Sequence, residues 1–349
     1  MRRTLVVATA IAALACTRPV LAGHPVQGPG EYEHVVEEYR IGEANTAIRR
    51  LARWPESMVT ESVRHWAKLL RPEQLVAALM LHTELAAAIL DSLPHQTNVQ
   101  LRHAQELLDA LSARRDEHER ADAVRLRWYQ FVISMYGTTW LDDADRYARE
   151  ALGRFPRNPT LYFQRGALLE LRAKFNLPEP PRATLARGRI PDPGPRMTRT
   201  LESATAEYRR ALELDPHMAI ARLHLGWVHV LQGDNRAGDD LAAALADARD
   251  DRIRYLAHLF RGGLAERQHQ FDEAAKEYEL TRELGPSHQT PYVALSRVEL
   301  ARGHTERARE LARELAALER VDDDPWWDYH LGAVDEDALT WLRAEAHRR

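Results

Sequence analysis

Small residues recur along the second half of this chain at a nearly constant spacing, and this recurrence constrains the fold more than any other feature. We call these recurring small residues anchors. Successive anchors are separated by 60, 34, 36 and 34 residues. The first gap exceeds the common spacing by 26, which indicates an insertion of that length within one unit. Such a period is typical of chains that stack copies of one supersecondary unit. The anchors are Ala144, Ala204, Gly238, Ala274 and Ala308.

Other positions keep the phase of these anchors. A second small residue precedes four of the five anchors, and a proline stands twelve residues after three of them. Small residues let two helices approach closely where they cross. Proline ends a helix because it lacks an amide donor and disfavours helix in the residue before it. These residues are Gly166, Gly226, Gly262 and Ser296, then Pro156, Pro216 and Pro286, with Val132 at the small position of the first unit.

This pattern resembles the tetratricopeptide repeat (TPR), a unit of about 34 residues that forms two antiparallel helices, A and B. The resemblance covers residues 125–322 as five units. It implies an all-α fold, a right-handed α-solenoid of antiparallel helix pairs. One unit cannot bury its apolar face alone, so neighbouring units must stack. The alternative is an irregular helical bundle in which the alanine spacing arises by chance.

The insertion is placed at residues 174–199, between helix A and helix B of the second unit. It holds six prolines and five arginines. Prolines at this density favour an extended or turning chain. One interpretation is a docking loop for an acidic or phosphorylated partner. The other is a solvated excursion, since long surface insertions add little loop-closure entropy.

The segments that flank the array are predicted to be helical. Residues 23–124 are interpreted as diverged helical hairpins that cap the N-terminal end of the solenoid. Residues 323–349 are interpreted as an aromatic capping segment, because terminal repeats must hide their outer apolar face. This segment includes Trp326, Trp327 and Tyr329. The alternative for the two tryptophans is a platform for a ligand.

The resemblance also implies a binding groove, since helix A lines the concave face in the TPR family. Carried onto this chain, the groove-facing positions are mostly apolar, and the lysine that grips a peptide carboxylate in one subgroup is absent from them. We expect an apolar partner segment to dock beside Trp227, because tryptophan is enriched at interface centres. The alternative is a groove filled by the insertion or by the aromatic segment. The predicted partner-binding residues are Phe163, Leu223, Trp227, Leu259, Val293 and Arg297.

The N-terminal residues 1–22 read as a secretory signal. Arg2 and Arg3 precede an apolar run over residues 4–15, which is shorter than the roughly 20 residues that span a bilayer. Residues 13–16 resemble a bacterial lipobox, so Cys16 is a candidate for lipidation and membrane attachment. Plain secretion and an uncleaved anchor are the alternatives. We therefore expect an exported protein of the bacterial envelope, periplasmic or secreted.

No catalytic motif stands out in the sequence. The phosphate loop, the nucleophile elbow and the zinc-binding H-E-x-x-H helix are all missing from it. His82 lies on an apolar helical stripe and is interpreted as a core residue rather than a metal ligand. The net charge of −4 gives no support to nucleic-acid binding. We predict a non-enzymatic protein–protein interaction scaffold without metal or cofactor; a structural or self-associating module and a helical enzyme are the alternatives.

Overall fold

A computed structural model describes residues 30–90, 92–114, 118–136, 138–175, 194–318, 324–326 and 338–348. The described residues form α-helices and their connecting turns, with one short 3₁₀ turn and no strand among them. The predicted signal at residues 1–22, Cys16 and most of the insertion lie outside the described residues. So do Trp327 and Tyr329.

The helices are numbered here in chain order. They are α1 Gly30–Arg40, α2 Ala44–Leu51, α3 Glu56–Trp66, α4 Pro72–Ile89, α5 Pro94–Ser112, α6 His118–Tyr136, α7 Leu141–Arg154, α8 Pro159–Phe175, α9 Pro195–Leu214, α10 Ala219–Gln232, α11 Ala237–Asp247, α12 Asp251–Arg267, α13 Phe271–Leu284, α14 Gln289–Ala301, α15 Thr305–Ala316 and α16 Ala338–Ala346.

The chain divides into two compact units. The first unit comprises residues 1–131 together with 335–349, and the second comprises residues 132–334. The boundary falls inside α6, so helix A of the first predicted repeat lies mostly in the first unit. The last helix, α16, also belongs to the first unit, where it packs against α4. The capping segment predicted at 323–349 is therefore divided between the two units.

The second unit is built from helix pairs that follow the predicted repeat. Within it, α8 packs on α9, α10 on α11, α12 on α13, and α14 on α15. Each pair then packs on the next through α9–α10, α11–α12 and α13–α14. Short turns join the helices within three of these pairs, which makes them antiparallel. The predicted all-α fold of TPR-type helix pairs is confirmed.

The small residues of the repeat lie where helix A meets helix B. A Cβ atom added at Gly166 would come within 2.6 Å of the Tyr208 ring. One added at Gly226 would come within 2.8 Å of Leu241. Gly262 meets the Tyr278 ring in the same way. The hydrogen on glycine is thus what allows a large side chain of helix B to seat on helix A.

The first unit is organised around one central helix. Thirteen consecutive residues of α4, Gln74–Ala86, are buried, because α1, α2, α5 and α16 all pack against this helix. The sequence predicted a stripe on one face of α4, and the structure instead buries every face. The reason is the return of the chain's end: Leu342 of α16 is fully buried, and Arg343 of the same helix donates to Glu84 of α4.

The helices around the insertion extend further than the sequence predicted. Helix α8 ends at Phe175 and α9 begins at Pro195, so both ends of the predicted span 174–199 are helical. Proline is well placed at the first position of a helix, where its missing amide hydrogen leaves no bond unmade. The proline count alone overestimated the length of the non-helical segment.

Among the described residues, no helix combines the length and the apolar character needed to cross a membrane.

Candidate partner-binding surface of the second unit

The A helices of the second unit form a row. Helix α10 contacts α8 on one side and α12 on the other, so the inner faces of these helices are largely covered by their neighbours. The structure buries four of the six predicted binding residues and leaves Val293, on α14, 52% exposed. Val293 lies on helix A of the pair α14–α15. The buried four are Phe163, Leu223, Trp227 and Leu259.

The residue predicted at the centre of the groove, Trp227, is only 7% exposed. Its ring stacks on Phe260 with centroids 4.4 Å apart, and the Trp326 ring meets it edge-on at 5.9 Å. Trp326 also meets the Phe260 ring edge-on, at 6.1 Å. In this structure the part of the groove beside Trp227 is filled by the chain's own aromatic segment, which was the stated alternative.

Two residues before Trp326, the Asp324 carboxylate is held against the same face. Asp324 is 3% exposed, and its two oxygens accept from the Tyr255 hydroxyl at 2.9 Å and the Thr290 amide at 2.8 Å. Burial, followed by the charge of Asp324, raises the pKa of Tyr255 well above its ordinary value, so its hydroxyl stays a donor. Thr290 lies in the first turn of α14, where backbone amides and the helix dipole favour an anion.

The open part of this surface is the exposed face of α14, which we call the α14 ridge: Val293, Arg297 and Leu300. Leu300 is 57% exposed, and it lies seven residues beyond Val293 on the same helical face. Between them, Arg297 makes two hydrogen bonds to Glu266 of α12, at 2.6 and 2.7 Å. Burial lowers the pKa of Arg297, but the bonds to Glu266 outweigh it and raise the pKa overall. The ridge therefore has two apolar ends around a fixed ion pair.

A buried carboxylate cluster joins α8, α9 and α10. The Glu170 carboxylate accepts from Tyr208 at 2.8 Å, lies 2.8 Å from Nδ1 of His224, and pairs with Lys174 at 3.1 Å. Burial and the charge of Glu170 raise the pKa of Tyr208. Glu170, Tyr208 and His224 are at most 2% exposed, so a substrate cannot reach them. The cluster is a structural link between helices.

His82 is a core residue, as the sequence analysis interpreted it. It is fully buried, with Nε2 at 2.8 Å from the Tyr32 hydroxyl and Nδ1 at 2.6 Å from Gln100. Burial lowers the pKa of His82 to about 3, and burial likewise lowers the pKa of neighbouring His103 to about 4. In the described part of the chain no group of three or more His, Cys, Asp and Glu side chains could hold a metal ion.

The residues that hold Asp324 and Trp326 were not predicted from the sequence. Phe260 and Tyr255 lie one and four residues away from the predicted binding residue Leu259, and their spacing carries no mark of an aromatic slot or a carboxylate partner. In the sequence, Asp324 ends a run of three aspartates, a pattern typical of a solvated loop or a helix cap. It does accept from the amide of Trp326 at 3.0 Å, but it is buried. The tryptophans were the usable signal, since an aromatic segment after the last repeat must pack somewhere.

Solved structures resemble this chain in fold. MamA from Desulfovibrio magneticus RS-1 (residues 41 to end) has 19% sequence identity, covers 58% of this chain and 98% of its own, and gives a TM-score of 0.41. Human IFIT1 with m7Gppp-AAAA has 14% identity, covers 91% of this chain and 77% of its own, and gives a TM-score of 0.43. Yeast Tom70 has 12% identity, covers 97% of this chain and 69% of its own, and gives a TM-score of 0.36. No protein-family model and no curated protein matches this sequence.

Proposed function

We propose that this protein is a non-enzymatic scaffold that binds a segment of a partner protein on the α14 ridge of its second unit. The observation that carries the proposal is the exposure of Val293 and Leu300, at 52% and 57%. They are the exposed large hydrophobic residues of the described second unit, and they share one helical face. Clustered apolar exposure of this kind marks interaction surfaces in folded proteins.

The ion pair between the two apolar residues adds specificity. Arg297 is fixed by Glu266, and Glu266 also accepts from the Tyr278 hydroxyl at 2.9 Å. A partner helix or strand would therefore meet a rigid polar group between two apolar contacts. Such an arrangement selects register, because an apolar group placed over the ion pair would bury it without compensation.

Two enclosed groups of titratable side chains have roles that fit a binding scaffold. The group around Glu170, in the second unit, is buried and joins three helices. The titratable pair His82 and His103 of the first unit is likewise enclosed. These are packing and hydrogen-bonding roles, for which the observed geometry is sufficient.

Export to the bacterial envelope is part of the same proposal, and it is supported by the sequence of residues 1–22 alone. Fractionation of cells that express the chain and its Cys16→Ser variant tests it. A soluble periplasmic product from both forms supports plain secretion. A membrane-bound product that Cys16→Ser releases supports a lipid anchor. Retention of both forms in the cytoplasm would contradict export.

The binding role is tested by quantitative cross-linking from bacterial envelope extract. The variant Val293→Glu/Leu300→Glu places charge on the α14 ridge, and Leu69→Glu is the matched control because Leu69 is 58% exposed in the first unit. We expect a partner that cross-links to the wild type and to the control, and is reduced at least tenfold with the ridge variant. Identical partner sets for all three proteins, with unchanged circular dichroism, would refute the ridge as the binding surface.

A further inference from the structure

Asp324 and Trp326 lie on the second unit in the way that a bound peptide would. They contact helices that are distant in sequence: α10 and α12 through the indole, and α12 and α14 through the carboxylate. The Trp326 amide donates back to Asp324 Oδ1 at 3.0 Å, so the two side chains are presented together by one tight turn. We call the residues that receive them the seat: Trp227, Phe260, Tyr255 and Thr290.

The carboxylate half of the seat consists of two donors on different helices. Thr290 offers a backbone amide in the first turn of α14, and Tyr255 offers a hydroxyl whose ring is itself buried. The N-cap of α14, His288, makes no side-chain capping bond. A carboxylate from elsewhere therefore satisfies a donor that the helix leaves unpaired, and charge-assisted bonds of this type are among the stronger hydrogen bonds in proteins.

The aromatic half of the seat is a pair of stacked rings. Trp227 and Phe260 lie 26° from parallel, and both meet Trp326 at about right angles, 82° and 79°. Edge-to-face contacts of this kind suit any incoming aromatic ring. Trp326 remains partly exposed, which places the slot at the surface of the unit.

We propose that the seat is a peptide-binding site for a partner segment that presents a carboxylate and, two residues later, an aromatic ring, and that Asp324–Trp326 occupies it in the free protein. The proposal rests on the proposed function and names its ligand chemistry. The seat is continuous with the α14 ridge, because Thr290 lies in the first turn of the helix that carries Val293 and Leu300. A longer partner would bind the seat and then run along the ridge.

The chain's own segment sets how strongly a partner must bind. A tethered segment acts at an effective concentration on the order of 1 mM. A partner that offers only a carboxylate and an aromatic ring would therefore displace Asp324–Trp326 poorly. A partner that also contacts the α14 ridge would bind more tightly and displace the segment. This intramolecular competition selects for partners that engage both surfaces.

The test uses the full chain with the double substitution Asp324→Ala/Trp326→Ala, which empties the seat. The probe is a fluorescein-labelled, end-capped peptide, Gly-Asp-Pro-Trp-Gly, measured by fluorescence polarisation. The matched peptides Gly-Asn-Pro-Trp-Gly and Gly-Asp-Pro-Ala-Gly remove one group each. We expect the double variant to bind the first peptide at least tenfold more tightly than the wild type, and each matched peptide at least tenfold more weakly. Tyr255→Phe in the double variant should also weaken binding about tenfold.

Three results would overturn this inference. The first is a folded double variant that binds the peptide no more tightly than the wild type. The second is equal binding of the asparagine peptide, which would deny the carboxylate contact. The third is loss of cooperative folding in the double variant and in Trp326→Ala alone, because an exchangeable occupant cannot be required for folding. If the peptide fails while Val293→Glu/Leu300→Glu still loses a partner, only this inference falls, and the proposed function stands.

Discussion

In the second unit the closest helix contacts are made by a glycine under a large side chain, whereas in the first unit one helix is enclosed on all sides by its neighbours. Gly166 and Gly262 each lie under a tyrosine ring of the paired helix. Helix α4 instead buries thirteen consecutive residues, including His82 and Thr83. A repeated pair needs only local complementarity between helix A and helix B. A central helix needs partners from distant parts of the chain, which here include its last helix.

The largest effect is expected where the chain's end completes the first unit. Leu342 of α16 is fully buried, so Leu342→Ala should lower the free energy of unfolding by about 2–5 kcal/mol through lost burial and a residual cavity. Hydrogen exchange read by mass spectrometry should show lost protection across α1, α4 and α5. Leu69→Ala, at a 58% exposed position of the same unit, is the control and should change little. Lost protection confined to α14 and α15 would show that α16 caps the repeats after all.

Replacing two glycines with alanine should change the free energy of unfolding by smaller amounts and with opposite signs. The comparison distinguishes the packing of helix B on helix A from intrinsic helix propensity. Gly262→Ala forces a methyl group against the Tyr278 ring and should destabilise the second unit by about 1–3 kcal/mol. Gly153→Ala meets no atom within 4 Å and should stabilise α7 by about 0.5–1 kcal/mol. Chemical denaturation measures both values. Equal stabilisation by the two substitutions would refute the glycine contact as the organising element of the repeat.

The pH dependence of stability should come partly from the first unit. The pKa of His82 is about 3 when folded and about 6.5 when unfolded, so the unfolded chain binds the proton first. Stability is therefore lost as pH falls below about 6.5, by up to about 1.4 kcal/mol per pH unit for this residue. The variant His82→Gln should show a shallower slope between pH 6.5 and 5. An unchanged slope would mean that His82 does not titrate on unfolding.

The smallest effect is expected on the α14 ridge. Val293 and Leu300 are more than half exposed, so replacing either with Ser should change the free energy of unfolding by less than about 0.5 kcal/mol. Partner cross-linking should nevertheless fall. A loss of stability above 1.5 kcal/mol in chemical denaturation would show that these residues pack within the chain, and would remove the basis for the binding surface.

The repeat made the second unit predictable because its contacts are local and recur in phase. Ala144, Gly166 and Gly262 could be assigned to helix crossings from spacing alone, and the structure places the glycines there. The first unit was predicted only as helices, because the pairing of α16 with α4 joins residues more than 250 positions apart. No periodicity in the sequence records that contact.

The candidate site was likewise predictable from the sequence only in part. The inner positions of the A helices were predicted from the repeat; of these, Val293 is exposed and Arg297 is partly exposed and paired with Glu266. The burial of Trp227 was not settled by the sequence, because a tryptophan on that face suits a partner or an internal aromatic ring equally. In the structure the Trp326 ring packs against Trp227, and the sequence does not predict this contact.

Hydrogen exchange of the complex with the cross-linked partner shows which unit binds. We expect increased protection in α14, residues 289–301, with little change in α1, α4 and α5. Added protection in the first unit, with α14 unaffected, would contradict this expectation.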